Sequence, residues 1–301
     1  MALSILETIT LSSAVESYFI AKRAQRLSEH TLRDYGNTFK KFARFVGDDC
    51  EINALDSSII ARFLAESKDV SKKTILNYHT GLSSLWNYLV EMGIVETNIV
   101  RLVKPPRPDV RQILPYTRQD IIAILNATKD RQFEIRDRAI IYLLLDTGMR
   151  SAELCGLKVK NISLDNCRIL VRGKGDKERR LPICDTTHDA LQSYFRFRGL
   201  IKTRDYHADL FMTSVGKVLN RAGLRKLMER IGIRSDVPNC HPHRFRHTFA
   251  IQFLRNGGNI YTLQALLGHT TLDMVKRYLA IAQMDLERDH EKASPVRRWG
   301  L

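Results

Sequence analysis

Several protein classes are set aside by what this sequence of 301 residues has little of. No apolar run approaches the roughly 18–20 residues that a membrane-spanning helix requires, so no transmembrane segment is expected. Residues 1–10 lack a basic stretch followed by an apolar run and a small-residue cleavage site. No signal peptide is expected there, and the expected location is cytoplasmic. Cysteine is sparse: Cys50, Cys155, Cys167, Cys184 and Cys240 make an odd number, and none forms a CxxC pair. That usage fits a reducing compartment and argues against a disulfide framework. Cys240, His241 and His243 lie close in sequence, but no second ligand pair has zinc-site spacing, so no metal is expected. No internal repeat or low-complexity tract is present.

Acidic residues are also in deficit, with 33 Asp and Glu against 48 Lys and Arg and a formal net charge of +15. Such a surplus points to a polyanion, because neutralising each phosphate releases counterions. A soluble protein of high isoelectric point is the plainer alternative. A membrane-surface protein is disfavoured, since no Lys/Arg-rich amphipathic anchor stands out.

Four helical segments are expected in the first hundred residues. Ser28 is placed to cap a helix whose Leu32, Tyr35, Phe39, Phe42 and Val46 share a face, with Gly47 ending it. Ser71 stands likewise before Ile75, Tyr78, Leu82, Leu85 and Leu89, with Gly93 beyond. Shorter apolar segments at 15–20 and 59–64 suggest two more, enough for a small bundle. Lys104-Pro105-Pro106-Arg107-Pro108 then holds three of the eight prolines. Proline removes a backbone donor and pushes its predecessor out of helical conformation, so an extended basic linker is expected there.

Beyond it, Thr117 and Asp120 have capping-box spacing, and 136–146 reads as an apolar helix ending at Gly148. The period then changes to that of strands at 168–172 and 178–183, joined by a turn at 173–177, with Pro182 marking an edge. Residues 185–282 read as mostly helical. The expected fold is mainly α with a small β-sheet: a helical bundle over 1–104, a linker at 105–114, an α+β domain over 115–292 and a mobile tail at 293–301.

Transferring a DNA phosphodiester requires a nucleophile, positive groups around the phosphate and a proton donor for the leaving oxygen. A tyrosine can attack and keep the bond energy as an aryl phosphate ester. Candidates occur in order. Arg150 in TGMRSAEL starts a helix, where free backbone donors favour anions. Lys174 sits at the hairpin tip, with Lys177 as an alternative in the same turn. His243 and Arg246 in HRFRH are three apart and share a helix face. His269 ends LGH, and Tyr278 follows nine residues later. Taken singly, each has an ordinary explanation, such as a surface arginine, a solvated basic face, a helix-end histidine or a half-buried helix tyrosine.

As an ordered set these motifs resemble the tyrosine recombinase (integrase) family, most closely its compact Xer-like and transposon-encoded members. The first hundred residues look like the family's core-DNA-binding domain, and no arm-binding domain is expected ahead of them. The resemblance implies that Arg150 and Arg246 clamp the scissile phosphate and that His243 assists proton movement at the nucleophile. It implies Lys174 as general acid, His269 as donor to a non-bridging oxygen, and Tyr278 as the nucleophile forming a 3′-phosphotyrosyl link. Glu153 matches the acidic position that orients the basic residues. The implied enzyme is a site-specific DNA recombinase needing no metal and no nucleotide cofactor. Its implied partner is double-stranded DNA, on which it assembles as a homo-tetramer or with a related recombinase, through the segment from Gln283 onward. Exposed residues of 71–89 and 220–230 are the expected readers of base edges, and the linker would let two domains grip a duplex. A type IB topoisomerase-like enzyme and a catalytically inactive DNA-binding regulator on the same fold are the alternatives.

Overall fold

The computed structural model describes residues 9–107, 113–173, 177–200, 205–268, 271, 275, 278, 290 and 294–300. The chain divides into two compact units, Met1–Arg111 and Gln112–Leu301.

The first unit is built from four helices, α1 (Leu11–Ala24), α2 (Glu29–Val46), α3 (Ser57–Glu66) and α4 (Lys72–Glu91). Each starts where a short polar side chain satisfies an orphan backbone donor. Thr10 accepts from the Ser13 amide, Ser28 from Thr31, Asp56 from Ile59 and Ser71 from Thr74. The apolar faces meet in one aromatic core around Tyr18, Phe39, Phe42, Phe63, Leu85 and Trp86. Tyr18 packs edge-on to Phe39 at 5.5 Å, while its hydroxyl lies 2.7 Å from Ser84 Oγ. Gly81 lets α4 approach α2 closely, since a Cβ there would stand 3.3 Å from Thr38 and Tyr35.

In the second unit, α5 (Arg118–Asn126) opens with the reciprocal Thr117–Asp120 capping box that the spacing predicts. Helix α6 (Glu134–Thr147) runs through the core, with Ala139, Ile140, Ile141, Leu143 and Leu144 all buried. After the short α7 (Ser151–Cys155) come β1 (Ile162–Ser163), β2 (Arg168–Arg172) and β3 (Glu178–Pro182), antiparallel in that spatial order. Pro182 therefore sits on an edge strand, where the missing donor costs no ladder bond. Helices α8 (Asp185–Phe197), α9 (Arg221–Arg234), α10 (Pro242–Arg255) and α11 (Ile260–Leu267) follow.

The structure departs from the sequence expectation in two places. The sheet has a third strand, β1, whose two residues are too few to show a period. Residues 205–220 are not helical; Lys158 bridges to Asp209 and Met212 to Val218. A turn at Thr213-Ser214-Val215-Gly216, with Gly216 at φ +71°, directs the chain there. Arg136 pins that segment to α6 by donating to the Met212 carbonyl at 2.8 Å and to Asp137 Oδ1 at 2.7 and 2.8 Å. Near the C-terminus, Pro295–Trp299 form a short helix.

Candidate active site

The site grows from the end of α6. Gly148 caps that helix in the left-handed conformation, φ +58°, which glycine adopts without a Cβ penalty. A Cβ there would also collide with Phe249. The sharp turn brings Arg150 to the N-cap of α7. Its backbone amide donates to Glu153 Oε2 at 2.7 Å and its Nη1 to Glu153 Oε1 at 2.9 Å, so one carboxylate holds both ends of the residue.

Helix α10 supplies the second arginine. Proline at its first position and His241 as its cap, accepting from the Arg244 amide at 3.1 Å, fix where it starts. Phe245 on one face enters the main core. Arg246, 3% exposed, points the other way, toward α11 and the α6 turn. It donates to the Gly148 carbonyl at 2.8 Å and to the Leu267 carbonyl at 2.9 Å. Burial and the neighbouring Arg150 push its guanidinium down to about 10, which still leaves it charged at neutral pH.

A helix C-terminus leaves carbonyls without intrahelical donors, and cations are favoured there. At the end of α11 three successive carbonyls each accept from a different arginine. Leu266 accepts from Arg179 Nε at 2.7 Å, Leu267 from Arg246 Nη2 at 2.9 Å, and Gly268 from Arg150 Nη2 at 3.1 Å. The turn that leads into His269 is thus the common anchor of the basic cluster.

Arg179 is not among the candidates that the sequence offers. It lies on β3 in phase with buried Leu181, so its side chain faces inward. Its two terminal nitrogens bond both oxygens of Glu153 at 2.8 Å. The visible signal is a charged residue at an inward register of a strand, which needs a buried partner. Burial pushes the Glu153 carboxyl up, but the bonds from Arg179 and from the Arg150 backbone outweigh it and hold the group below its ordinary value.

Tyr278 lies in a small apolar cluster with Ala250, Ile251, Leu263, Leu267 and Val275, and is 9% exposed. Burial raises its hydroxyl above the ordinary tyrosine value, and the charges of Arg246 and Arg150 together with a hydrogen bond from Arg246 oppose that rise. The phenol therefore stands among the two arginines that the sequence nominates. His243 stays on the exposed side of α10. Partial burial, then the charges of Arg246 and Arg150, hold its imidazole below the ordinary histidine value and favour the neutral form. His247, which is not among the sequence candidates, packs against the Tyr278 ring with centroids 5.3 Å apart. Its Nε2 is buried without a hydrogen-bond partner among the described residues.

Arg150, His243, Arg246 and Tyr278 are thus brought together, with Glu153 and Arg179 behind them. Lys174 and His269 lie outside the described residues. Lys177 is exposed, and its carbonyl accepts from the Gly173 amide at 2.8 Å across the hairpin turn. A groove lined by Ser151, Arg221, Arg225, His241 and His243 continues from the site along α9, whose outer face also exposes Lys226 and Arg230. No described helix is long and apolar enough to cross a membrane. Chemically, the arrangement offers two fixed guanidiniums for a phosphate, a neutral imidazole for a proton and a phenol beside them.

The chain is similar to known proteins along nearly its whole length. The phage integrase family matches residues 116–284, and the phage integrase SAM-like domain matches residues 13–104. A tyrosine recombinase XerC from Thermodesulfovibrio yellowstonii is 30% identical over 282 residues, covering 89% of this chain and 91% of that protein. A tyrosine recombinase XerD from Halalkalibacterium halodurans is 27% identical over 303 residues, covering 91% and 95%. Among solved structures, the Tn1549 transposon integrase in complex with a circular intermediate DNA shares the fold with a TM-score of 0.80 at 20% identity, over 94% of this chain and 99% of that one. A lambda integrase dimer bound to a COC′ core site gives 0.73 at 19% identity, over 90% and 77%.

Proposed function

Because the chain belongs to the phage integrase family and is a site-specific tyrosine recombinase, a DNA strand-transferring enzyme, we propose that Tyr278 is its nucleophile. The observation that carries the assignment is the phenol held beside Arg246 and Arg150, the two cations best placed to grip a phosphate. Attack of the Tyr278 oxygen on a backbone phosphorus forms a 3′-phosphotyrosyl ester and releases the 5′ oxygen of the next nucleotide. Arg150 and Arg246 neutralise the charge that builds on the non-bridging oxygens, where preorganised donors act most strongly. Neutral His243 takes part in moving the phenolic proton. Lys174 protonates the leaving 5′ oxygen, and His269 donates to a non-bridging oxygen. A 5′ hydroxyl from the partner strand then reverses the step, and two rounds pass through a Holliday junction.

Duplex DNA is the substrate, bound by the exposed basic faces of α4 and α9, where Lys72 and Lys73, and Arg221, Arg225, Lys226 and Arg230, stand outward. Assembly is as a homo-tetramer, or with a related recombinase, through the segment from Gln283 onward, whose Met284 and Leu286 suit an apolar pocket on a neighbour. The enzyme works in the cytoplasm and serves a mobile element or the resolution of replicated DNA. Relaxation without partner exchange, and DNA binding without cleavage, are disfavoured by the recombinase relatives that span nearly the whole chain.

The test is a nicked suicide duplex carrying the cognate site. Wild-type protein is expected to accumulate a covalent complex with EDTA present, and Tyr278→Phe to bind equally but never become attached. A covalent complex that persists in Tyr278→Phe removes Tyr278 from the role.

A further inference from the structure

Arg179 stands where three separately made parts of the site cross. Its guanidinium clasps both Glu153 oxygens at 2.8 Å, and through that carboxylate it reaches Arg150, which Glu153 holds at 2.9 Å by the side chain and 2.7 Å by the backbone. Its Nε donates to the Leu266 carbonyl at 2.7 Å, and its guanidinium packs over Gly268, where an added Cβ would lie 3.1 Å from Nη1. At the neck of the β2–β3 hairpin, a Cβ on Gly173 would stand 3.5 Å from Arg179 Nη1 and 3.6 Å from Glu153 Oε1. With 14% of its side chain exposed against 38% for Arg150, it lies behind the residue that faces the substrate.

We infer that Arg179 is a positioning residue for strand cleavage: it fixes Glu153, and thereby the aim of the Arg150 guanidinium, and locks that pair to the end of α11 and to the hairpin neck. The inference rests on the reading of Arg150 given above. The physical argument is one of geometry and charge. A single carboxylate orients a guanidinium well only when its own two oxygens are fixed, and the fork of Arg179 fixes both at once. Lysine offers a point charge and cannot reproduce the two parallel bonds. Without Arg179, Glu153 keeps its burial but loses a bidentate partner, so it turns toward protonation and releases Arg150.

The test is single-turnover cleavage of the nicked suicide duplex by the full-length protein, read beside DNA affinity and thermal melting. Arg179→Ala is expected to cleave about 100-fold more slowly, the scale of a catalytic group displaced by an ångström, while DNA affinity changes less than about threefold. Arg179→Lys should recover only part of the rate. The ratio of Arg179→Ala to wild-type rate should climb as pH rises from about 5 to about 8, as the loosened Glu153 carboxyl ionises. Adding Glu153→Gln should erase that climb and slow the reaction little further, because the two residues act as a unit. A merely structural arginine predicts instead a rate that falls in step with melting temperature, a flat pH ratio and additive effects with Glu153→Gln; that result overturns the inference. Wild-type-like cleavage by Arg179→Ala overturns it equally. If the alanine variant does not fold, Arg179→Lys carries the same criteria. Failure of the underlying reading looks different: Arg150→Ala would then cleave normally, or Tyr278→Phe would still become covalently attached.

Discussion

The two compact units bury very different things. In the first, the buried polar side chains among the described residues are Thr38 and Ser67, both hydroxyls that return a hydrogen bond to their own helix at 3.2 and 3.0 Å. In the second they include Arg136, Asp137, Glu153, Arg246 and His247. Removing charge from water is unfavourable unless hydrogen bonds replace the hydration, and here carbonyls at helix ends and paired carboxylates do so. The first unit is held by caps and an aromatic core, the cheapest means available to helices. The second buries charge around Tyr278, in surroundings where the exclusion of water strengthens every electrostatic interaction.

The contrast can be broken by single substitutions. The largest effect is expected at Arg246: replacement by alanine should lower single-turnover cleavage by about 100- to 1,000-fold, the scale for loss of a preorganised charge donor. Its counterpart in the first unit, Leu85→Ala, should cost about 2–5 kcal/mol of stability by leaving a cavity and yet leave the chemical step of bound DNA unchanged. Chemical denaturation and rapid-quench cleavage separate the two. A Leu85 variant that folds but cleaves bound DNA slowly would undo the division of labour.

Next comes Glu153→Gln. It leaves two guanidiniums without their carboxylate, and breaking a buried pair of this kind costs about 3–5 kcal/mol. The sign of the pH effect follows from the depressed carboxyl of Glu153. Its contribution is present above the unfolded carboxyl value and is lost as pH falls through the lower folded one, so wild type should weaken relative to Glu153→Gln from about pH 4 downward. Acid-titrated melting curves for both proteins check this.

A smaller effect is expected from His243. Its imidazole sits below the ordinary value, so cleavage should decline only as pH falls below about 6.5, and His243→Gln should remove that inflection. An inflection that survives the substitution assigns the proton transfer to another group. The smallest effect is Ser71→Ala, about 1 kcal/mol of stability from a lost cap, with cleavage of bound DNA unaltered.

The same contrast explains what the sequence disclosed. Helices capped by Ser28, Ser71 and Thr117 were legible because cap and periodicity are local signals. Order and spacing in the sequence point to Arg150, His243, Arg246 and Tyr278, and the fold gathers them. Arg179 carries no such local signal, because its partner Glu153 is 26 residues away and only the sheet register turns it inward. The His247 nitrogen beside Tyr278, without a hydrogen-bond partner among the described residues, likewise depends on packing between α10 and a later segment. Strand β1 and the extended segment that Arg136 pins to α6 depend on tertiary partners and carry no periodic signature.

Digesting the covalent complex trapped on the suicide duplex and sequencing the nucleotide-bearing peptide by mass spectrometry tests the central assignment most directly. The account predicts a 3′-phosphoryl nucleotide on Tyr278 and on no other residue. A nucleotide joined to a different side chain, or joined through its 5′ phosphate, would contradict it.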